Sequence, residues 1–208
     1  METQKLSIHR ALAELKIIGD RIGTAIEEFT PTGIAQKDKP VNGKYDRKEF
    51  EESAKAKYQS IIDLITHRDK IKGAVVISNA STKVKIAGQE MTVAQAIDTK
   101  ATIPFTEALI EKLRKTLLTS TSNMEKNNAQ VDANALKLVE VSFGKDKDIK
   151  SEDAQTIMKP FKESNEFSLI DPIKAEDKIS ELKKRITDFK MEVDAALSES
   201  NATTFIEI

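Results

Sequence analysis

The stretch SNASTKVKIAGQEMTV, residues 78–93, decides the fold, because its first nine residues return at residues 200–208 as SNATTFIEI. In each copy a helical pattern runs into Ser-Asn-Ala, and Ser-Thr or Thr-Thr then leads into a short segment of alternating apolar residues. Ser and Asn side chains bond to nearby backbone and therefore favour the end of a helix. We interpret the two copies as one helix-to-strand unit that the chain uses twice.

A β-hairpin is predicted within the first copy, with strands over about residues 82–86 and 90–93. The apolar residues alternate on either side of the turn segment AGQE and would share one face: Val84, Ile86, Met91 and Val93. The second copy predicts a strand over residues 203–208. Because an unpaired apolar strand edge associates readily, we expect this strand to join the hairpin in one small sheet.

Two long helices are predicted before the hairpin, over residues 4–29 and 47–77. The first has an apolar seam at alternating spacings of three and four and ends near Pro31, which cannot continue a helix. Residues 30–45 form a loop. Asp46 and Glu49 resemble a capping box at the start of the second helix, in which the Asp46 side chain accepts from the Glu49 backbone amide and the Glu49 side chain reaches back to the cap. The two helices should pack antiparallel.

Four further helices are predicted after the hairpin. Thr92 and Gln95 form another capping box, which starts a short helix over residues 92–100 that Pro104 separates from a long helix over residues 103–143. Two more follow over residues 152–163 and 172–198, the last beginning at Asp171-Pro172.

The long helix has an unusual middle, because uncharged polar residues lie at or beside its apolar seam. A buried polar layer of this kind lowers stability but can specify register or the number of subunits. An exposed section that extends beyond the bundle is the competing interpretation, and the sequence leaves both open. The residues concerned are Ser120, Thr121, Asn127, Asn128 and Asn134.

Composition agrees with a mainly α protein, an antiparallel helical bundle of coiled-coil hairpins with a small β-hairpin plus C-terminal strand sheet. Charged residues make up 32% of the 208 residues and aromatic residues 5%, a balance that suits long amphipathic helices. A chain of this length can bury a substantial core, and we expect a single domain over residues 1–208. The net charge of −1 argues against a general nucleic-acid binder.

The cysteine count and the N-terminal sequence bear on the compartment. With no cysteine, disulfides, thiolate zinc sites and thiol catalysis are excluded. The N-terminal sequence lacks the apolar core of a signal peptide, and the longest purely apolar run, residues 74–77, predicts no membrane span. We therefore expect a cytoplasmic protein.

Catalytic residues are sparse, so we expect a non-enzyme without a cofactor. His9 and His67 are the two histidines, both lie on predicted helices, and neither belongs to a complete catalytic constellation. The charged segment KDKDIK at residues 145–150 lacks the central glycine and terminal glutamate of a helix-loop-helix calcium site. A solvated loop is the favoured interpretation there.

The combination of a helix that ends in SNAST, a small hairpin, TVAQAI and a C-terminal Asn-x-Thr-Thr strand resembles the septicolysin-like proteins of bacteria and phages. This resemblance implies a helical, oligomeric protein, encoded by a bacterium or a phage, without an established activity. Proteins of that family often carry Trp where this chain has Ala202.

Three classes of function remain, of which the preferred one is a non-catalytic homo-oligomer that presents its helices to a protein partner. The second is a protein that binds or sequesters a small anionic ligand, such as a nucleotide, through Asn79, Thr82, Lys83, Asn201 and Thr203. The alternative for these residues is that they satisfy carbonyl groups at helix ends. The third is a pore-former, ranked last because a KVKIAGQE tongue is too polar to enter lipid.

Homo-oligomerisation is expected for two reasons. A helix over residues 103–143 would extend roughly 60 Å, beyond the approximately 40 Å of the other principal helices, and would leave part of its seam uncovered. The terminal strand could also complete the sheet of a neighbouring chain. The predicted interface residues are Met124, Val131, Leu138, Phe205 and Ile206.

Overall fold

The computed structural model describes residues 4–144 and 148–208. Within these ranges the chain is mainly helical, with two small antiparallel pairs of strands, which confirms the predicted fold class. Residues 145–147 of the charged loop lie outside the described residues. In chain order the elements are β1 (Lys5–Ser7), α1 (Ile8–Glu27), α2 (Arg47–Ser81), β2 (Lys83–Ile86), β3 (Gln89–Thr92), α3 (Val93–Phe143), α4 (Glu152–Asn165), α5 (Ala175–Thr203) and β4 (Phe205–Glu207).

The described chain divides into two compact units. Unit 1 comprises Met1–Ala101 and Asp188–Ile208, and unit 2 comprises Thr102–Thr187. Both α3 and α5 contribute residues to each unit. The prediction of a single domain stays a prediction.

In unit 1 the core lies between α1 and α2, where the two helices form the predicted hairpin. Ile8, Ala11 and Ile18 of α1 pack with Ile71 and Val75 of α2, and Leu6 and Ile206 from the strands complete this cluster. Burial of a large aliphatic side chain contributes about 1.5–3 kcal/mol. The Asp46 half of the predicted capping box is confirmed, because its carboxylate accepts from the Lys48 and Glu49 amides. Among the hydrogen bonds of the described residues, none is returned by the Glu49 side chain to Asp46.

The predicted sheet of hairpin and C-terminal strand is wrong. β4 pairs antiparallel with β1, and the hairpin forms a separate sheet from β2 and β3. The sequence interpretation placed residues 4–7 in the first helix, but Ser7 is the N-cap of α1 and leaves Lys5–Ser7 extended. Leu6 lies opposite Ile206, so both side chains enter the α1–α2 core, and this shared burial selects β1 as the partner of β4.

The hairpin itself is confirmed, although its turn is tighter than predicted. Ile86 pairs with Gln89, which leaves Ala87 and Gly88 as a two-residue turn with positive φ angles of 49° and 76°. Such φ angles are those of a type I′ turn, whose twist matches that of the flanking strands. Glu192 of α5 stabilises this turn by accepting from the Ala87 amide at 2.6 Å.

The predicted break at Pro104 is absent, because α3 runs without interruption from Val93 to Phe143. The predicted Thr92 and Gln95 capping box is confirmed at its start, where each side chain accepts from the other residue's amide. Proline removes one helical hydrogen bond. Burial of Val93 before the proline and of Ile103 and Ile110 around it offsets that loss.

Both Ser-Asn-Ala segments lie inside their helices. The two helices therefore end four and five residues later than the sequence predicted. Ser81 donates to the Ile77 carbonyl and Thr203 donates to the Glu199 carbonyl, so these hydroxyl groups bond back within the helix. The helices end only after them, at Ser81 and Thr203.

The helix-to-strand unit is used twice in the same geometry, as the motif predicted. Thr82 follows α2 and Thr204 follows α5, and their amides donate to the Ser78 and Ser200 carbonyls respectively. Each threonine carbonyl then accepts from the first residue of another helix, Val93 for Thr82 and Ile8 for Thr204. The strand register also matches, since Lys83 pairs with the cap Thr92 and Phe205 pairs with the cap Ser7.

In unit 2, α4 and the segment before α5 pack on α3. Ala135 and Val139 of α3 form a core with Ala154 and Met158 of α4, and Phe161 packs against it. The predicted start of the last helix at residue 172 is too early: Asp171 accepts from the Ala175 amide, and Lys174 has a positive φ of 54°. The α5 helix therefore begins at Ala175.

Candidate functional site

The five predicted ligand-binding residues occupy the ends of the two motif copies. Asn79 and Asn201 hold equivalent positions and are both half-buried. Thr203 donates to the Glu199 carbonyl, and the Thr82 hydroxyl lies 3.4 Å from that of Ser78. No described hydrogen bond joins the first copy to the second among these five residues. The threonine geometry supports the alternative in which the polar groups satisfy their own helix ends.

Lys83 has a partner that competes with any anionic ligand. Its amine donates to the Glu90 carboxylate across the hairpin at 2.7 Å. The hydrogen bond to Glu90, together with the nearby negative charge, raises the pKa of Lys83 above its usual value. An anion at Lys83 would have to displace this carboxylate, so the ligand-binding prediction is weakened here and stays untested.

The two histidines lie apart from each other on α1 and α2. His67 is within 3.2 Å of Glu14, which makes it a link between the two helices, whereas His9 is exposed. Within residues 4–144 and 148–208, no group of three His, Asp or Glu side chains is placed to hold a metal ion. No helix of the described chain combines the length and the apolar character that crossing a membrane requires.

The polar middle of α3 separates into two faces. Asn128 and Thr121 are half-buried, whereas Ser120, Asn127 and Asn134 are exposed. Asn128 binds the backbone of Phe167 at two points, donating to its carbonyl at 2.9 Å and accepting from its amide at 2.8 Å. The polar residues therefore do not form one buried layer, and Asn128 instead attaches the segment before α5 to α3.

Two neighbouring cavities lie along α3 in unit 2, and this attached segment lines part of both. One, of about 330 Å³, is lined by Ser120, Asn123, Met124 and Asn127 together with residues 167–170. The other, of about 210 Å³, lies between Leu113, Leu117 and residues 169–175. Residues 167–170 thus lie beside the exposed polar side chains of α3.

The predicted interface residues divide into covered and uncovered ones. Val131 and Ile206 are 8% and 6% exposed because they are covered within this chain, and Met124 is half-buried. The expectation that Val131 needs a second copy for its cover is therefore wrong. Leu138 and Phe205 remain exposed, at 37% and 55%.

An exposed row of eleven residues on α3, which we call the uncharged row, was not recognised as one surface in the sequence, although Ser120, Asn127, Asn134 and Leu138 were singled out individually. Its members follow one another at spacings of three and four, the periodicity of one helix face. The apolar seam next to it gave the stronger signal in the sequence and hid it. The row consists of Phe105, Leu109, Lys112, Thr116, Ser120, Asn123, Asn127, Gln130, Asn134, Leu138 and Val141, all of which are exposed.

Comparison with known proteins adds no family to this description. No family model, curated protein or solved structure matches the chain. The resemblance to septicolysin-like proteins therefore stays a prediction.

Proposed function

We propose that this protein is a non-catalytic homo-oligomer whose helices assemble with further copies and present faces to protein partners. The observation that carries the proposal is the large exposed surface, 15370 Å². A compact monomer of 23.1 kDa exposes roughly 9,700 Å². Two separate compact domains of half that mass would expose roughly 11,600 Å² together. Even two separate compact domains would therefore expose less surface than this chain does.

The excess corresponds to more than one permanent protein interface per chain. The difference from two compact domains is roughly 3,700 Å² for one chain, whereas obligate interfaces bury about 2,000–5,000 Å² over both partners and therefore about 1,000–2,500 Å² on each partner. About two to four such interfaces would bring the exposed surface to the range of ordinary folded proteins, which supports association with further copies.

The composition of the exposed surface supports the same proposal. Several large apolar side chains of unit 2 are strongly exposed: Phe105 at 77%, Leu118 at 70%, Val141 at 85% and Ile170 at 81%. A partner that covers such side chains removes their apolar surface from water, which favours association. In unit 1, Phe205 and Met191 add further exposed apolar area.

Mass in solution tests this proposal. Light scattering after size exclusion, at micromolar concentration and moderate salt, should give an integral multiple of 23.1 kDa. A monomeric mass under those conditions would contradict the proposal. Val131→Asp is not a useful dissociating variant, because Val131 is buried within its own chain and the charge would unfold unit 2.

A further inference from the structure

The uncharged row is distinguished from the rest of the surface by its composition. Lys112 is the single charged residue among its eleven positions, in a chain of which 32% is charged. Phe105 and Leu109 lie at one end and Leu138 and Val141 at the other, with uncharged polar residues between them. An ordinary solvent face of a helix is rich in charged residues, so this row has the composition of a surface that loses its water.

The row is also symmetric about Asn123. Phe105 and Val141 each lie 18 residues from Asn123, and Leu109 and Leu138 lie 14 and 15 residues from it. The polar positions continue the pattern, because Thr116 and Gln130 each lie seven residues from Asn123. Reversal of the helix direction thus places apolar residues on apolar residues and polar residues on polar residues.

From this symmetry we infer that the uncharged row of α3 binds the same row of a second copy, antiparallel, with the twofold axis at Asn123. The inference rests on the proposed homo-oligomer and names its interface. In this arrangement Phe105 contacts Val141 of the second copy, Leu109 contacts Leu138, and Asn123 lies opposite Asn123. A twofold interface uses one surface patch on both copies, which requires a pattern that matches its own reverse.

The parallel arrangement fits less well. It would place Lys112 directly opposite Lys112 of the second copy, and two like charges at one position of an interface are unfavourable. The antiparallel arrangement places Lys112 opposite Asn134, whose amide oxygen can accept from the amine. Antiparallel helices also align their dipoles favourably.

The polar centre of the row specifies this register. Uncharged amides and hydroxyls can bond across an interface without the desolvation cost of charges. A shift by one helical turn would place polar residues such as Asn134 against apolar ones, which is unfavourable. Buried Asn residues set the register of coiled coils for the same reason. Each copy also brings Phe167 and Ile170, which are 51% and 81% exposed, to the middle of the row.

Cysteine cross-linking tests the register directly, because the natural chain contains no cysteine. Thr116→Cys and Gln130→Cys are prepared separately, checked for folding by circular dichroism, mixed and oxidised. In the antiparallel pair each cysteine of one variant faces that of the other, so a disulfide-linked dimer should form in the mixture. Each variant alone places its two cysteines roughly 21 Å apart, beyond the ~7 Å between Cα atoms that a disulfide spans.

Two controls accompany the mixture. Asn123→Cys should link to itself, because it lies on the axis, whereas Glu125→Cys on another face of the helix should not. Phe105→Asp should reduce the oligomer mass, since it places a carboxylate against Val141 of the second copy. Leu118→Asp is the matched control, because Leu118 is 70% exposed but lies outside the row.

The outcomes separate this inference from the proposed function. Linkage in the mixture but not in the separate variants supports the antiparallel pair. Self-linkage of Thr116→Cys would indicate a parallel pair and overturn the inference. An oligomeric mass without linkage in the mixture, or with no effect of Phe105→Asp, would also overturn it and leave the homo-oligomer standing. A monomeric mass of the natural chain would remove both.

Discussion

Asn128 shows how one side chain can decide the path of a segment. Its amide group matches the donor and acceptor of the Phe167 peptide unit, as a neighbouring strand would, and holds residues 166–171 against α3. Lys162 adds an ion pair with Asp132 at 2.6 Å, one helical turn further along α3. Both contacts precede the Asp171 cap of α5, so they help to place the start of that helix.

Replacement of Asn128 should loosen this segment without unfolding the protein. Asn128→Ala removes both hydrogen bonds, but water can reach the 51%-exposed Phe167, so we expect a loss of about 1 kcal/mol in unfolding free energy. Urea denaturation at a fixed protein concentration would measure it, together with hydrogen exchange of the Phe167 amide, which should become faster. Glu125→Ala, an exposed site on the same helix, should stay within about 0.5 kcal/mol. An unchanged exchange rate at Phe167 would contradict the role given to Asn128.

At the scale of elements, the duplicated helix-to-strand unit organises unit 1. One copy is continuous, from α2 through the hairpin to α3, and the other joins α5 and β4 to β1 and α1. Ile206 shows the importance of the second copy, because it is 6% exposed and packs with Ile71 and Val75 of α2. Its neighbour Phe205 points away and is 55% exposed, with the Lys5 amine 5.3 Å from the ring centre.

Along β4 the buried Ile206 follows the exposed Phe205, so replacement of either side chain by alanine should have a different effect. Ile206→Ala creates a cavity in the α1–α2 core and should lower the unfolding free energy by about 2–4 kcal/mol. Phe205→Ala removes an exposed ring and one cation–π contact, so its cost should be about 1 kcal/mol or less. Thermal or urea unfolding of both variants checks this, and equal effects would show that β4 does not contribute to the core through Ile206.

Because the two copies are equivalent, a two-residue turn like that of the hairpin should also be able to connect β4 to β1. Gln4 and Ile208 exchange two backbone hydrogen bonds of 3.1 Å, as a residue pair next to a two-residue turn would. A permuted chain would join Ile208 to Gln4 through Asn-Gly and open between Asp38 and Lys39 in the loop before α2. It should keep its helical circular dichroism and melt within about 4 °C of the natural chain.

A control for the permuted chain uses the linker Val-Pro, which cannot adopt the positive φ angles of a type I′ turn. This variant should melt earlier than the Asn-Gly one. If the Asn-Gly chain fails to fold, or if the two linkers behave alike, the proposed equivalence between the second copy and the hairpin is wrong.

At the scale of the whole molecule, the charges around the uncharged row bear on its association. The helix positions next to the row carry Lys115, Lys126 and Lys137 against two acidic residues, Glu111 and Glu140, and the row itself adds Lys112, so the net charge there is positive. Two copies that meet through this row therefore bring like charges near one another. The favourable contribution must come from apolar and uncharged polar contacts.

Added salt should therefore strengthen assembly, whereas it weakens an interface that is held by ion pairs. Because added salt screens like charges, the dissociation constant of the dimer should decrease between about 50 mM and 500 mM sodium chloride. Sedimentation equilibrium at several concentrations would measure it. Lys126→Gln should reduce this dependence, and Lys72→Gln on α2 provides the control. Dissociation at high salt would contradict an interface made from the uncharged row.

Features that depend on neighbouring residues in the chain were predictable from the sequence. The Asp46 cap, the Thr92 and Gln95 capping box and the hairpin near Gly88 were predicted, because each depends on bonds across a few residues. Repetition of Ser-Asn-Ala also predicted one geometry used twice. Local pattern carried less information on helix ends, since Ser81 and Thr203 can bond either back into the helix or away from it.

Tertiary structure alone decided which elements meet. Residues 5–7 have no strand signal of their own, and β1 exists because Leu6 and Ile206 share the α1–α2 core. The continuity of α3 through Pro104 likewise depends on burial before and after the proline. The burial of Val131, the partial burial of Asn128 and the exposure of the uncharged row depend on which elements pack on α3. Sequence periodicity places a residue on a helix face, but the packing partners determine which face is covered.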